Sequence, residues 1–191
     1  MDAAEYGIFL NGSYGVGKSS VLDHLGDRFA AEGRAFSLLD VDWFHRSWPP
    51  AADDPRNVLT EAENMSAVWA NYARTGARTP LVAGVIASDA DRQRYEAVFG
   101  RRLRVVLLTA SPAVAERRLR GRYDADRAST LDWHLARHEE LAACLAAGQW
   151  NDVTVPTDDL RPAEVAAIIV ARVAADLSGA IAETPPAMPR S

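Results

Sequence analysis

Apolar residues fall along this chain in two alternating patterns: short unbroken runs of strand length, and longer segments in which they return every three or four positions. Tyr6-Gly7-Ile8-Phe9-Leu10 is a run of the first kind. Past a glycine-bearing loop, Val21, Leu22, Leu25 and Phe29 follow the second and predict a helix. Ala35 to Leu39 predicts a second strand. Val58, Ala62, Met65, Trp69 and Tyr72 predict an amphipathic helix ending near Gly76, with Trp69 and Tyr72 packed in the core. Leu81 to Ala87 reads as a third buried strand, Asp89 to Phe99 as a short helix with Asp89 as its cap, and Leu103 to Leu108 as a fourth strand. Ser111-Pro112 opens a helix to Leu119, since proline suits a first turn. Residues 123–130 form a polar excursion. Leu131 to Ala147 is a helix, Asp152 to Val155 a fifth strand and Arg161 to Leu177 a final helix.

Unbroken apolar strands suit a sheet covered on both faces, and their alternation with helices predicts an α/β fold built on five parallel strands. Residues 1–180 are expected to form one domain, with 181–191, which holds Pro185, Pro186 and Pro189, as a flexible tail. Ligands of such sheets gather at the carboxyl ends of the strands, so the loops there hold the candidate chemistry.

The loop after the first strand reads Gly12-Ser13-Tyr14-Gly15-Val16-Gly17-Lys18-Ser19-Ser20. Two glycines five apart followed by Lys and Ser, between a strand and a helix, is the pattern of a phosphate-binding loop. The backbone N–H groups of residues 13–19 would line an anion nest at a helix N-terminus. Lys18 would reach the β- and γ-phosphates and the Ser19 hydroxyl would face Mg²⁺. Lys18 is the only lysine among 21 basic residues. An ammonium point charge at this one place is informative, because a planar guanidinium replaces it poorly.

Composition narrows what the loop serves. The chain has 191 residues, 48% of them apolar, and a net charge of −5, which suits one domain with a substantial core and gives no general affinity for nucleic acid or anionic membrane. A single cysteine, Cys144, excludes an internal disulfide, and its apolar neighbours predict a buried small side chain. The N-terminal residues carry acids and no basic leader, and no apolar stretch is long enough to span a membrane, so a cytoplasmic protein is expected. Whether it is a homodimer stays open. The missing second lysine also removes the usual guanine-reading loop, and no acid ends the third or fourth strand in the manner of motor ATPases.

The acids follow the second strand instead. In Leu38-Leu39-Asp40-Val41-Asp42, alternation along an extended segment would put both carboxylates on one side, beside the phosphate loop. One of the two, with Asp40 the nearer to the strand, could serve Mg²⁺ through its waters, and the other could orient and deprotonate an acceptor hydroxyl. His134 and His138 lie four apart without the acid that a zinc site of that spacing needs.

The phosphate loop, the Asp-x-Asp pair and the run Val114-Ala115-Glu116-Arg117-Arg118-Leu119-Arg120-Gly121-Arg122 together resemble the small P-loop kinases, such as shikimate and gluconate kinases. They are still more similar to the chloramphenicol phosphotransferases and tunicamycin-resistance ATP-binding proteins. The resemblance, over residues 6–178, implies a P-loop NTPase fold with a small lid at about 118–137. It implies ATP and Mg²⁺ as cofactors, with Asp40 facing the Mg²⁺ waters, Asp42 as the carboxylate at the acceptor hydroxyl, and Arg118 and Arg122 on the adenine and phosphates. It further implies a lid arginine at the transferred phosphoryl group, with Arg137 nearest and Arg120 and Arg127 as alternatives. Thr157-Asp158 would back the adenine. Residues 42–75, rich in aromatics, would bind a small hydroxylated acceptor, such as an antibiotic or a nucleoside. The other readings are a nucleoside-monophosphate kinase, with Arg46, Arg56, Arg74, Arg92 and Arg94 available for an acceptor phosphate, and a non-catalytic ATP-binding regulator or drug-sequestering protein.

Overall fold

The first apolar run becomes strand β1, Tyr6–Asn11, in a computed structural model that describes residues 6–182. The tail residues 183–191 lie outside the described residues. After β1 come α1 (Lys18–Ala31), β2 (Phe36–Asp40), α2 (Val58–Ala73), β3 (Thr79–Ala83) and α3 (Asp89–Phe99). The second half holds β4 (Arg102–Thr109), α4 (Pro112–Arg122), α5 (Ala128–Ala147), β5 (Val153–Pro156) and α6 (Pro162–Ala182). The five strands make one parallel sheet in the order β2-β3-β1-β4-β5. The chain thus has the α/β P-loop NTPase fold, with β1 at its centre, where strand order reverses and a ligand crevice opens.

Side chains alternate across β1 and divide the core in two. Ile8 and Leu10 join Val21, Leu22, Leu25 and Phe29 of α1 and Val165, Ile169 and Val173 of α6 on one face. Phe9 lies on the other face with Met65 and Trp69 of α2 and Tyr95 and Phe99 of α3. The Trp69 and Phe99 rings meet edge to face at 5.5 Å. Tyr72, expected in that core, is 41% exposed, because α2 turns only its Glu61, Met65 and Trp69 line inward.

The third strand stops at Ala83, short of the expected Ala87. The Asn11 side chain takes over there, donating to the Ile86 carbonyl at 2.9 Å and accepting from the Ile86 N–H at 3.0 Å, so both backbone polar groups of Ile86 are satisfied beyond the end of the strand. The α3 cap is Ser88, whose hydroxyl accepts from the Asp91 N–H, and Asp89 is the first helical residue. Part of the polar excursion is helical: α4 runs on to Arg122, a 3₁₀ turn covers Ala125–Arg127, and α5 begins at Ala128. Cys144 is exposed on α5, not buried as its neighbours suggested. Among the described residues, no helix is long and apolar enough to cross a membrane.

Candidate active site

The phosphate loop bends tightly because two of its residues have no side chain to clash. A Cβ on Gly12 (φ 151°) would lie 2.7 Å from the Leu108 carbonyl oxygen, and one on Gly15 (φ 76°) 2.7 Å from that of Ala115. The loop is therefore pressed between the end of β4 and the start of α4. It delivers the chain into α1, whose N-terminus has no side-chain cap, which leaves its first N–H groups for an anion. The loop's own side chains do different work. Val16 is buried in the α1 core, and the Ser13 hydroxyl donates inward to the His138 carbonyl at 2.8 Å. Ser13 and Val16 thus offer a ligand their backbone alone, and Ser20 is exposed on the first turn of α1.

Lys18 folds back on the loop, its ammonium donating to the Gly12 and Ser13 carbonyls at 2.7 and 3.1 Å. Burial lowers its pKa to about 8, although Asp42 and Asp40 pull the other way; Arg122 adds to the lowering. Both carboxylates and Arg122 therefore act on Lys18 at one end of the sheet. The Ser19 hydroxyl donates to Asp40 Oδ2 at 2.7 Å, which joins the two expected metal-facing groups.

Asp40 and Asp42 do not share an extended segment. Strand β2 ends at Asp40, whose Oδ1 accepts from the Asp42 N–H at 3.2 Å and caps a 3₁₀ turn over Val41–Trp43. Val41 is buried in the sheet core, and the turn leaves Asp42 exposed. A short polar side chain at a strand end favours such a cap, and this overrode the period-two pattern.

Arg118 and Thr157 brace the loop. Arg118 donates to the Thr157 hydroxyl at 2.9 Å and carbonyl at 2.7 Å and lies 3.4 Å from the Val16 carbonyl. The Thr157 hydroxyl also reaches the Val16 carbonyl at 3.1 Å. Asp158 accepts from the Ser111 N–H at 2.8 Å, tying the loop after β5 to the start of α4. Arg122 and Arg137 are exposed, over the rings of Tyr123 at 5.7 Å and Trp133 at 4.4 Å. Arg120 is paired with Glu116 on its own helix at 2.7 Å, and Arg127 is exposed in the 3₁₀ turn.

Tyr14 links the loop to α5. Its ring meets Trp133 and His134 edge-on at 5.5 and 4.6 Å, and His134 stacks on Tyr123. Burial raises the Tyr14 hydroxyl pKa, the Asp42 charge adds to this, and Arg137 opposes it. The ring thus stands within electrostatic reach of both the candidate base and the candidate lid cation.

The segment after Asp42 is held from α2 and α3. Asn57 donates to the His45 and Ser47 carbonyls, Asn64 donates to that of Phe44, and Asp54 accepts from the Val58 and Thr60 N–H groups to cap α2. Buried Glu61 accepts from the Tyr95 hydroxyl at 2.7 Å and faces His45 Nδ1 at 3.1 Å. None of these supports was read from the sequence. Three asparagine-to-carbonyl braces and a buried acid carry no periodic signal, and only the fold brings their partners close. Trp43 and Trp48 stand out from this braced segment, 73% and 89% exposed.

In solved structures the same fold recurs. The tunicamycin resistance protein of Deinococcus radiodurans superposes with a TM-score of 0.59 at 20% identity, over 88% of this chain and 95% of the other. A gluconokinase from Sinorhizobium meliloti 1021 gives 0.59 and 20%, over 93% and 98%. The APS kinase of Mycobacterium tuberculosis, in complex with AMPPNP and APS, gives 0.59 and 17%, over 88% and 97%. At such identities the likeness is one of fold. No curated protein matches the sequence. Residues 8–144, from β1 through most of α5, match the AAA domain family, and the chain belongs to it.

Proposed function

We propose that the protein is an ATP-dependent phosphotransferase that moves the γ-phosphoryl group of MgATP to a hydroxyl of a small molecule. The observation that carries this is the arrangement at the end of β2. Asp40 is committed to Ser19 at 2.7 Å, while Asp42, one residue beyond Val41, stays exposed and electrostatically coupled to Lys18. A nucleotide binder needs the loop and the metal-facing oxygens. A second, uncommitted carboxylate is what transfer to a hydroxyl adds.

Ser19 Oγ and Asp40 Oδ2 are hard oxygen donors of the kind Mg²⁺ takes, directly or through water. Mg²⁺ bound with the nucleotide supplies positive charge to the β- and γ-phosphate oxygens. The loop amides and Lys18 hold those phosphates in line with the acceptor. Asp42 orients the hydroxyl and takes its proton as the new P–O bond forms and the bond from the γ-phosphorus to the β–γ bridging oxygen breaks, ADP leaving with that oxygen, and Arg122 and Arg137 balance charge on the moving group. The kinases that share the fold support this class of reaction, and consumption of ATP favours a cytoplasmic site.

Three of the five arginines, Arg74, Arg92 and Arg94, favour an uncharged acceptor over a nucleoside monophosphate. Arg74 ends α2, at the opposite end of the sheet from the phosphate loop. Arg92 donates to the Trp150 and Leu103 carbonyls and pairs with Asp152, and Arg94 pairs with Asp91. Arg46 lies over Trp43 at 5.2 Å, and Arg56 is exposed. The test is transfer of labelled phosphate from ATP to a panel of nucleosides, nucleoside monophosphates and hydroxylated antibiotics. Labelled product from an uncharged alcohol is expected. Phosphorylation of monophosphates alone, or ATP bound with no transfer to any acceptor, defeats the proposal.

A further inference from the structure

The phosphate loop is gripped from outside its own strand and helix. His138, in the middle of α5 and 5% exposed, places its Nδ1 2.7 Å from the Tyr14 carbonyl oxygen, and its own carbonyl accepts from the Ser13 hydroxyl at 2.8 Å. A carbonyl only accepts, so Nδ1 carries the proton. The ring's neighbourhood also opens on a cavity of about 170 Å³ lined by Pro112, Glu116, Leu135 and Glu139. Two reciprocal bonds on consecutive residues, between partners this buried, fix the height and rotation of the loop's crown. They act at the stretch between Gly12 and Gly15, whose backbones are the freest to turn.

The consequence follows from the planarity of the peptide unit. In a trans peptide, C=O and N–H point in opposite directions, so a donor that holds the Tyr14 carbonyl toward α5 turns the Gly15 N–H away from α5. We infer that His138 is a positioning residue of the phosphate site, which aims the Gly15 N–H into the nest by holding the Tyr14 carbonyl on the other side. The inference rests on the loop being a nucleotide site. It adds that the helix leaving the lid, not the loop sequence alone, preforms that site, and that Arg137 emerges one residue from the grip.

Calorimetry with MgADP and amide spectra of nitrogen-15-labelled protein test it without any acceptor. His138→Phe keeps a ring and loses the donor; MgADP affinity is expected to fall about ten-fold or more, the loss of one N–H bond to a charged group. The Gly15 amide, which should shift strongly downfield with MgADP in the wild type, should no longer do so. His138→Asn, which can place an N–H near the Nδ1 position, should restore most of the affinity and the Gly15 shift. Equal losses in both variants, tracking a lowered Tm, overturn the positioning role in favour of simple packing, and so does unchanged affinity in His138→Phe. Should that variant fail to fold, the wild type decides. A slowly exchanging His138 Nδ1–H in imidazole nitrogen spectra, with a downfield Gly15 shift on MgADP, is the expected result, and absence of either overturns the inference. Failure of the nucleotide reading itself looks different, since the wild type would then bind no MgADP.

Discussion

Lys18 is where a sequence motif and a measurable property of the folded protein meet most directly. Its pKa falls from the usual 10.5 to about 8 because burial disfavours the charged ammonium by more than the Asp42 and Asp40 carboxylates favour it. Between those values the folded protein binds fewer protons than the unfolded chain, so stability of the free protein should rise with pH from about 8 to 10.5. Phosphate reverses the balance by favouring the charged form. Binding of MgADP at pH 8.5 should therefore take up more than about half a proton, read from calorimetry in buffers of different ionisation enthalpy. Lys18→Ala should remove that uptake and weaken binding; uptake that survives the substitution would assign it elsewhere. The carboxylates divide in the same way. Asp42→Asn should leave MgATP binding intact and cut transfer about 10²-fold, whereas Asp40→Asn, which breaks the contact with Ser19, should raise the Mg²⁺ requirement. If the first loses binding and the second only turnover, the assigned roles are exchanged. The motif made Lys18 and Ser19 legible. The turn that separates Asp40 from Asp42 was not, because the Asp40 side-chain cap competes with strand periodicity and leaves no periodic mark in the sequence.

At the scale of elements, the phosphate loop is an assembly of three neighbours. Lys18 holds its beginning, His138 of α5 its crown, and Arg118 of α4 with Thr157 its end. Strand and helix positions were readable from apolar spacing because burial on both faces enforces that spacing. The braces were not, since each is one polar side chain whose partner lies far along the chain. Arg118 illustrates the difference: resemblance gives it to the nucleotide, and its bonds in the fold go to Thr157 and the loop carbonyls. Gly15→Ala tests how closely the elements fit. The added Cβ meets the Ala115 carbonyl, backbone that gives way poorly, at a φ of 76° that alanine adopts reluctantly. We expect a lower Tm together with at least about ten-fold weaker MgADP binding, one good charge-assisted bond or more. A variant with wild-type affinity would mean that α4 yields freely. The exposed cations of α4 and α5 should behave differently. Arg137→Ala should lower kcat more than it weakens MgATP binding, if its contact strengthens as the phosphoryl group moves; an equal loss of affinity with unchanged kcat would make it an ordinary binding group.

The whole molecule separates stability from chemistry along the sheet. Both faces are sealed by apolar side chains, with Leu25 and Phe29 of α1 on one and Met65 and Trp69 of α2 on the other. The carboxyl ends of the strands carry the charges, the glycines and two tryptophans that the core does not use. Trp43 and Trp48 are costly in water, yet the segment bearing them is fixed by Asn57, Asn64 and Glu61 and does not fold them inward. A segment held rigid while its largest apolar side chains stay exposed suits a surface that a ring-bearing acceptor covers. Two substitutions should then have opposite signatures. Leu25→Ala removes a fully buried side chain between α1 and the sheet, and should cost about 2–5 kcal/mol in denaturant unfolding while leaving the acceptor KM of the surviving folded fraction near wild type. Trp43→Ala should leave the unfolding midpoint within experimental scatter and raise the acceptor KM several-fold in the phosphate-transfer assay, with MgATP binding unaltered. A Trp43 variant that loses stability as Leu25→Ala does, with no change in KM, would return that tryptophan to the scaffold and move the acceptor away from the end of β2.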